Sequence, residues 1–290
     1  MAPFLFVVSY VLIKQRILVY LGYEQMSETM ETEQQQTKRR KGIYLLPNLI
    51  TTAGLFGGFY GIVAAMNGHF EYAAIAIFVA MILDGLDGRV ARLTNTQTAF
   101  GAEYDSLADM VSFGVAPALI MYEWSLSSMA DLGWQWGKIG WMVAFIYTAA
   151  AALRLARFNT QVGTADKRFF QGLPSPAAAA CVVGFVWVAV DQGFEGKTLA
   201  IPAMVITLLA GLLMVSNFLF SSFKEVDFKH KVPFTVLLIG VLVLMFASFD
   251  PPKVLFAGFV IYMLSGPLLS LGRKLKRSGK PKTVENESSK

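Results

Sequence analysis

Long apolar stretches recur along the chain from residue 45 to residue 271, separated by short polar segments. Each approaches the ~20 residues that a helix needs to cross the hydrocarbon core of a bilayer. Lipid offers no hydrogen-bonding partner to an open strand edge, so such stretches are predicted to be helical. The pattern predicts an all-α fold, a polytopic transmembrane helix bundle of about eight spans, at 45–67, 70–90, 104–123, 138–157, 174–191, 199–219, 232–248 and 254–271.

The two ends of the chain depart from this pattern. The first part has an apolar run broken by polar residues at 14–16, followed by a long polar run. We expect either a disordered extension, with translation starting at Met26 or Met30 rather than Met1, or a helix lying at the membrane interface. The predicted organisation is an N-terminal extension at 1–40, a membrane domain at 41–272 and a basic cytoplasmic tail at 273–290.

The distribution of positive charge predicts how the bundle is oriented. When the spans alternate, nineteen lysine and arginine residues fall on the side of residues 38–41, and only Lys138, Lys197 and Lys253 fall on the other. Loops rich in lysine and arginine stay in the cytoplasm. We therefore expect residues 38–41 and the aspartate segment (residues 84–109) to face the cytoplasm. The net charge of +5 then reflects contact with lipid headgroups, and no nucleic acid partner is predicted.

Composition limits the chemistry further. Charged residues make up 16% of the chain, whereas a soluble domain has about 25%. Cys181 is the single cysteine, which excludes an intrachain disulfide and a cysteine zinc site. No histidine or cysteine lies within residues 84–109, so a metal site among the acidic residues there is expected to use oxygen ligands.

Four aspartates lie at helical spacing around the turn between the second and third spans. Asp84 and Asp87 are three residues apart, Asp105 and Asp109 four apart, so each pair occupies one helix face. Consecutive spans are antiparallel neighbours, which brings the two pairs to one depth. Converging carboxylates repel each other, and oxygen-only ligands favour Mg²⁺ or Mn²⁺. The sequence predicts a metal site at these aspartates, on the cytoplasmic side, with Arg92 close enough to bind a phosphate.

The residues around the turn spell D-x2-D-G-x2-A-R-x8-G-x3-D-x3-D, with every spacing matched from Asp84 to Asp109. This pattern resembles the signature of the CDP-alcohol phosphatidyltransferase family. Segments such as "PNLITTAGLFGGFYG", "ALRLARFN" and "FQGLPSPAAAA" resemble its bacterial membrane-integral phosphatidylserine synthase branch. The resemblance covers roughly residues 40–272 and implies the membrane domain of an integral membrane enzyme.

The resemblance implies a reaction and a set of residues. CDP-diacylglycerol would donate its phosphatidyl group to L-serine, giving phosphatidylserine and CMP, with Mg²⁺ or Mn²⁺ as cofactor. Asp84, Asp87, Asp105 and Asp109 would ligate metal, and Asp109 would be the base. The positions that match CDP-lipid contacts of relatives are Asn48, Thr51, Gly88, Arg92 and Thr98. A homodimer in the lipid bilayer is expected from the family.

The sequence leaves alternatives open for the acceptor substrate and for the class of function. Arg154, Arg157 and Lys224 could contact the acceptor or a lipid phosphate, or could anchor helix ends at the interface. The same chemistry could use glycerol 3-phosphate, inositol phosphate or another alcohol. A cation transporter is the alternative from another class, although transporter carboxylates usually lie at mid-membrane depth on interrupted helices.

Overall fold

The computed structural model of this chain describes residues 45–160, 169–221, 245–246 and 248–278. These residues are mostly helical, which confirms the predicted fold class. The helices are α1 (Leu45–Met66), α2 (Phe70–Leu93), α3 (Ala99–Asp109), α4 (Ala116–Trp124), α5 (Trp134–Thr160), α6 (Ser175–Asp191), α7 (Ala200–Val215) and α8 (Pro251–Ser278). A π-helical turn, Met110–Val115, joins α3 to α4, and a 3-10 helix, Leu126–Leu132, follows α4.

The structure does not confirm the prediction of about eight spans. Within the ranges that the structure describes, three helical segments have the length and apolar composition to cross a bilayer, namely α1, α5 and the Pro251–Ser270 part of α8. Helices α6 and α7 are apolar but contain only 17 and 16 residues. The third predicted span is divided by the π turn. The predicted span 232–248 lies almost entirely outside the described residues, as does the extension 1–40.

Helix α8 passes the predicted domain boundary at residue 272 and ends at Ser278. The first residues of the predicted tail are therefore helical. Four of them, at 273, 274, 276 and 277, are basic.

Helices joined by a loop run in opposite directions, whereas α3 and α4 are joined by the π turn and run in the same direction. The bundle therefore has two ends. The aspartate end contains the last turns of α2 and α5 and the first turns of α3 and α6. There, Asn159 donates a hydrogen bond from Nδ2 to Ser106 Oγ over 3.0 Å. The opposite end contains the loops at 67–69, 125–133 and 192–199. There, Ser125 Oγ donates to the Gly196 carbonyl over 2.6 Å.

Glycines in α1 let this helix approach its neighbours closely. A Cβ added at Gly57 would lie 3.1 Å from the Ala76 carbonyl of α2, and one at Gly58 would lie 2.5 Å from Ser112 Oγ of the π turn. Small residues at such positions allow helix backbones to pack tightly in a membrane. In this chain these glycines serve packing inside one bundle.

Helix α6 lies at the centre of the core. Six consecutive residues, Ala178–Val183, have no exposed surface. The ring of Trp187 packs on Phe78 of α2 with centroids 5.7 Å apart, and Gly184 allows Phe256 of α8 to approach. Because α6 contacts both α2 and the π turn that follows α3, it holds the two helices that carry the aspartates in place relative to each other.

A short antiparallel sheet, which the sequence did not predict, lies at the aspartate end. Strand β1 (Phe169–Gln171) pairs with β2 (Leu219–Ser221), with Phe170 opposite Phe220. Gln171 donates from Nε2 to Asn217 Oδ1 over 2.9 Å. The sheet ties the segment before α6 to the segment after α7.

Candidate active site

Three aspartates meet between the last turns of α2 and the first turns of α3. One carboxylate oxygen each from Asp84, Asp105 and Asp109 lies within 4.8 Å of the other two. The Asp84 and Asp109 carboxyl groups are within hydrogen-bonding reach of each other. Two carboxylates tolerate such proximity only with a proton or a cation between them. The antiparallel arrangement of α2 and α3 therefore produces the convergence that the spacing predicts.

The fourth predicted ligand, Asp87, lies beside this group and makes a different contact. It is buried, with 4% of its surface exposed, and its Oδ2 accepts a hydrogen bond from Thr51 Oγ1 over 2.7 Å. A small cavity next to the cluster is nevertheless lined by all four aspartates. Thr51 of α1 thus binds the one aspartate of the four that lies beside the three-aspartate cluster rather than in it.

The carboxylates lack a matching positive partner among the described residues. No lysine or arginine in those ranges makes an ion pair with them, and the ion pairs of that part of the chain lie elsewhere. Arg154 is close enough to interact electrostatically with Asp84 and Asp109. One guanidinium does not neutralise the group, so its hard oxygen donors fit a divalent cation such as Mg²⁺ or Mn²⁺, held by Asp84, Asp105 and Asp109.

A larger cavity of about 300 Å³ opens next to the cluster, within the size range of small-molecule sites. Asp87 and Asp105 line both this cavity and the small one at the cluster. The residues predicted to contact the CDP-lipid all line it: Asn48, Thr51, Gly88, Arg92 and Thr98. Their roles remain predictions, but the structure brings all five to one cavity beside the carboxylates.

The turn between α2 and α3 gives this cavity its far wall. Asn95 adopts a left-handed conformation, with φ of 51°, which asparagine tolerates better than most residues. Thr98 caps α3, since its Oγ1 accepts from the Gly101 amide over 2.9 Å. A Cβ at Gly101 would lie 3.1 Å from that oxygen, so glycine keeps the wall of the cavity free of side chain.

The basic residues predicted for the acceptor differ in their contacts. Arg154 is half-buried and donates from Nη1 to Ser175 Oγ, at the first turn of α6. The Arg157 guanidinium is engaged by backbone carbonyls, including Met214 at 3.1 Å and Gln171 at 3.3 Å. It therefore links the end of α7 to the end of β1. Lys224 lies outside the described residues.

Sequence patterns did not indicate two residues whose contacts lie close to Asp109, namely Tyr147 and Ser175. The π turn begins at the residue after it, and Tyr147 of α5 donates to the Phe113 carbonyl in that turn over 3.0 Å. Ser175, the partner of Arg154, belongs to the segment "FQGLPSPAAAA", which indicated a family resemblance but no contact for this serine. Neither residue stands out, because Tyr147 looks like an ordinary aromatic of an apolar helix.

Comparisons with known proteins agree with this geometry. The family described as CDP-alcohol phosphatidyltransferase matches residues 44–217. A Helicobacter pylori protein named CDP-diacylglycerol–serine O-phosphatidyltransferase is 43% identical over 199 residues, covering 68% of this chain and 80% of the relative. Proteins of the same name from Mycobacterium leprae and Methanocaldococcus jannaschii are both 38% identical. These two alignments cover 56% and 53% of this chain, and 53% and 66% of the relatives.

The match includes helices α1 to α7, the aspartates and the residues that line the cavity. It extends from the first described turn of α1 to Asn217, which follows α7. This range covers more than half of the chain. The chain therefore belongs to the CDP-alcohol phosphatidyltransferase family.

Proposed function

We propose that this chain transfers the phosphatidyl group of CDP-diacylglycerol to the hydroxyl of L-serine, giving phosphatidylserine and CMP. The observation that carries the proposal is the position of the Asp84, Asp105 and Asp109 cluster next to a 300 Å³ cavity. Family membership supports the CDP-alcohol donor. The names of the relatives support serine as the acceptor.

The donor is proposed to occupy the larger cavity with its pyrophosphate toward the carboxylates. Gly88 and Gly101 leave the cavity wall without side chains, and Arg92 offers a guanidinium to a phosphate oxygen. Thr98 and Asn48 provide polar atoms at the far side of the same space. Bound Mg²⁺ or Mn²⁺ would supply electrostatic stabilisation of the phosphate charge that develops as CMP leaves.

Asp109 is the proposed general base. Its carboxylate belongs to the cluster and also faces Arg154. A carboxylate is a weak base, so it would accept the serine proton late, as the hydroxyl bonds to phosphorus and becomes acidic. We propose one direct displacement without an enzyme nucleophile, which predicts inversion at a chirally labelled phosphorus. Retention of configuration would contradict it.

Arg154 is the proposed contact for the serine carboxylate. It lies on the side of Asp109 toward α6, and its guanidinium is held by Ser175. Since Arg157 already donates to backbone carbonyls, the described residues offer a single guanidinium beside the base. One positive charge suits the carboxylate of a zwitterion better than a phosphorylated acceptor.

We also propose that the bundle lies in the bacterial inner membrane with the aspartate end in the cytoplasm. Large side chains on α1, such as Phe56, Phe59 and Met66, are exposed, as a lipid-facing surface requires. Lys138, Lys197 and Lys253 belong to the opposite end, away from the arginines near the site. The arrangement of eight spans and the homodimer remain proposals of the same kind.

The test is an assay of CMP release from CDP-diacylglycerol. Purified protein would be incubated with Mn²⁺ or Mg²⁺ and with L-serine, glycerol 3-phosphate, inositol phosphate or no acceptor. We expect metal-dependent release with serine only. Release with another alcohol would overturn the acceptor assignment and leave the donor chemistry standing.

The same assay separates an enzyme from a cation transporter. A transporter whose ion pathway contains these aspartates predicts no CMP release with any acceptor. Folded protein that releases no CMP under any of these conditions would favour that alternative.

A further inference from the structure

The helix that carries Asp105 and Asp109 is continuous from Ala99 to Trp124, yet it changes type directly after Asp109. In the π turn, Met110–Val115, the Ala116 amide donates to the Val111 carbonyl five residues earlier. Such a turn accommodates one residue more than an α-turn and is rare, often occurring at functional sites. Here the π turn begins at the residue that follows the proposed base.

The turn is held by side chains of α5 on one side and by its own Ser112, which binds the backbone of α1, on the other. From α5, Tyr147 Oη donates to the Phe113 carbonyl over 3.0 Å, and Thr148 Oγ1 lies 3.5 Å from the Gly114 carbonyl. Tyr147 is fully buried. On the other side, Ser112 Oγ donates to the Gly54 carbonyl of α1 over 3.2 Å. Carbonyls displaced from regular helical bonding thus find partners outside their own helix.

The turn sets the direction of the aspartates. An α-helix advances about 100° per residue, so one extra residue rotates everything before it by that amount relative to everything after it. Ala116, Ala118, Ile120 and Met121 of α4 are buried in the core, which fixes that half of the helix. In a regular helix, Asp105 and Asp109 would therefore point about 100° away from Asp84.

We propose that the π turn aims Asp105 and Asp109 at Asp84, and that Tyr147 is a positioning residue that holds the turn. Tyr147 acts through the Phe113 carbonyl and touches neither substrate nor metal. The inference rests on the metal site of the proposed function and not on the identity of the acceptor.

The experiment measures Mn²⁺ binding to detergent-solubilised full-length protein without substrates, by electron paramagnetic resonance. Tyr147→Phe removes one hydroxyl and leaves the ring in place. We expect its Kd for Mn²⁺ to rise about tenfold, the lower range for loss of a group that supports a ligand. The Mn²⁺ concentration for half-maximal CMP release should rise in parallel.

Ser125→Ala is the matched control. Ser125 also donates from a fully buried hydroxyl to a backbone carbonyl, that of Gly196, but at the opposite end. We expect a comparable loss of thermal stability and an unchanged Mn²⁺ Kd. A merely structural role for Tyr147 predicts that the two variants behave alike.

If Tyr147→Phe does not fold, a second variant, Thr148→Val, is available. It weakens the same turn more gently and preserves the volume of the side chain. We expect its Mn²⁺ Kd to rise only about two- to threefold, since the Gly114 contact is long and the Thr148 hydroxyl also donates to the Ala144 carbonyl of its own helix over 3.1 Å. Wild-type affinity in every folded variant of this pair would overturn the positioning role. Failure of the unaltered protein to bind Mn²⁺ would overturn the metal site, whereas failure of serine alone in the CMP assay would overturn only the acceptor.

Discussion

The two ends of the bundle treat charge in opposite ways. At the opposite end, Lys197 Nζ lies 2.8 Å from Asp131 Oδ2 in an exposed ion pair, and Lys253 pairs with Asp250. At the aspartate end, Asp84, Asp105 and Asp109 face one another instead. Such exposed ion pairs contribute little to stability, because water and salt screen them.

The packing of the two ends differs in the same sense. At the opposite end, Gly140 and Gly196 allow backbones to meet so closely that an added Cβ would collide with the carbonyls of Leu126 and Trp124. At the aspartate end, Gly172 approaches the Met214 carbonyl as closely, but the first turns of α1 and α3 and the last turn of α2 stand apart around a cavity of about 300 Å³. Unpaired like charges beside open space cost stability unless a ligand binds there. The contrast indicates that the aspartate end is built for ligands and the opposite end for closure.

The largest expected effect comes from removing one carboxylate at each end. Asp109→Asn deletes the proposed base and one metal ligand, so we expect kcat for CMP release to fall about 10²- to 10⁴-fold, the range for a general base. Asp131→Asn, with the same change of side chain at the opposite end, should leave kcat unaltered. Equal losses in both variants, measured with L-serine and Mn²⁺, would remove the distinction between the ends.

The sequence predicted the helices and their aspartates better than it predicted the junctions between helices. The antiparallel pair α2 and α3 and the convergence of Asp84, Asp105 and Asp109 follow from spacing, because i, i+3 and i, i+4 positions share a helix face. The cavity-lining positions came from the family resemblance. Apolar periodicity cannot tell a membrane span from a shorter buried helix such as α6, which is why the number of spans was not confirmed.

Features that depend on tertiary contacts were not predictable. The π turn after Asp109 is stabilised by Tyr147 and Ser112, whose partners are carbonyls of distant segments. No local pattern specifies such bonds. The short sheet β1–β2 likewise joins segments about fifty residues apart. Arg157 was one candidate for contact with the acceptor or a lipid phosphate. Its guanidinium donates instead to the Met214 carbonyl, because α7 ends beside it.

The next effect in size separates the two arginines of α5. Arg154→Gln should raise KM for L-serine about 10- to 100-fold, because a charge-assisted hydrogen bond to a carboxylate contributes about 1.5–3 kcal/mol. KM for CDP-diacylglycerol should change little. The measurement is CMP release over a range of serine concentrations.

Arg157→Gln is the matched variant, one helical turn away. It removes donors to the Met214, Ser216 and Gln171 carbonyls, so we expect a lower midpoint of thermal unfolding rather than a higher KM for serine. A large increase in KM for Arg157→Gln, with Arg154→Gln normal, would exchange the roles of the two residues.

The smallest of these effects concerns adjacent threonines of α1. Thr51 Oγ1 donates to buried Asp87, whereas Thr52 Oγ1 lies 2.9 Å from the exposed Tyr104 hydroxyl. Thr51→Val leaves a buried carboxylate oxygen without its donor, so we expect the Mn²⁺ concentration for half-maximal activity to rise about tenfold. Thr51→Ser should restore it, because the serine hydroxyl can reach the same oxygen.

Thr52→Val makes the same replacement on the neighbouring face of the helix and should keep the wild-type Mn²⁺ dependence. If the two valine variants shift the Mn²⁺ dependence equally, the effect comes from α1 packing and not from Asp87. If neither shifts it, the Asp87 carboxylate keeps its orientation without Thr51, and its place beside the cluster is set by burial within α2 alone. A shift confined to Thr51→Val would show that α1, a helix that carries none of the four aspartates, takes part in building the metal site.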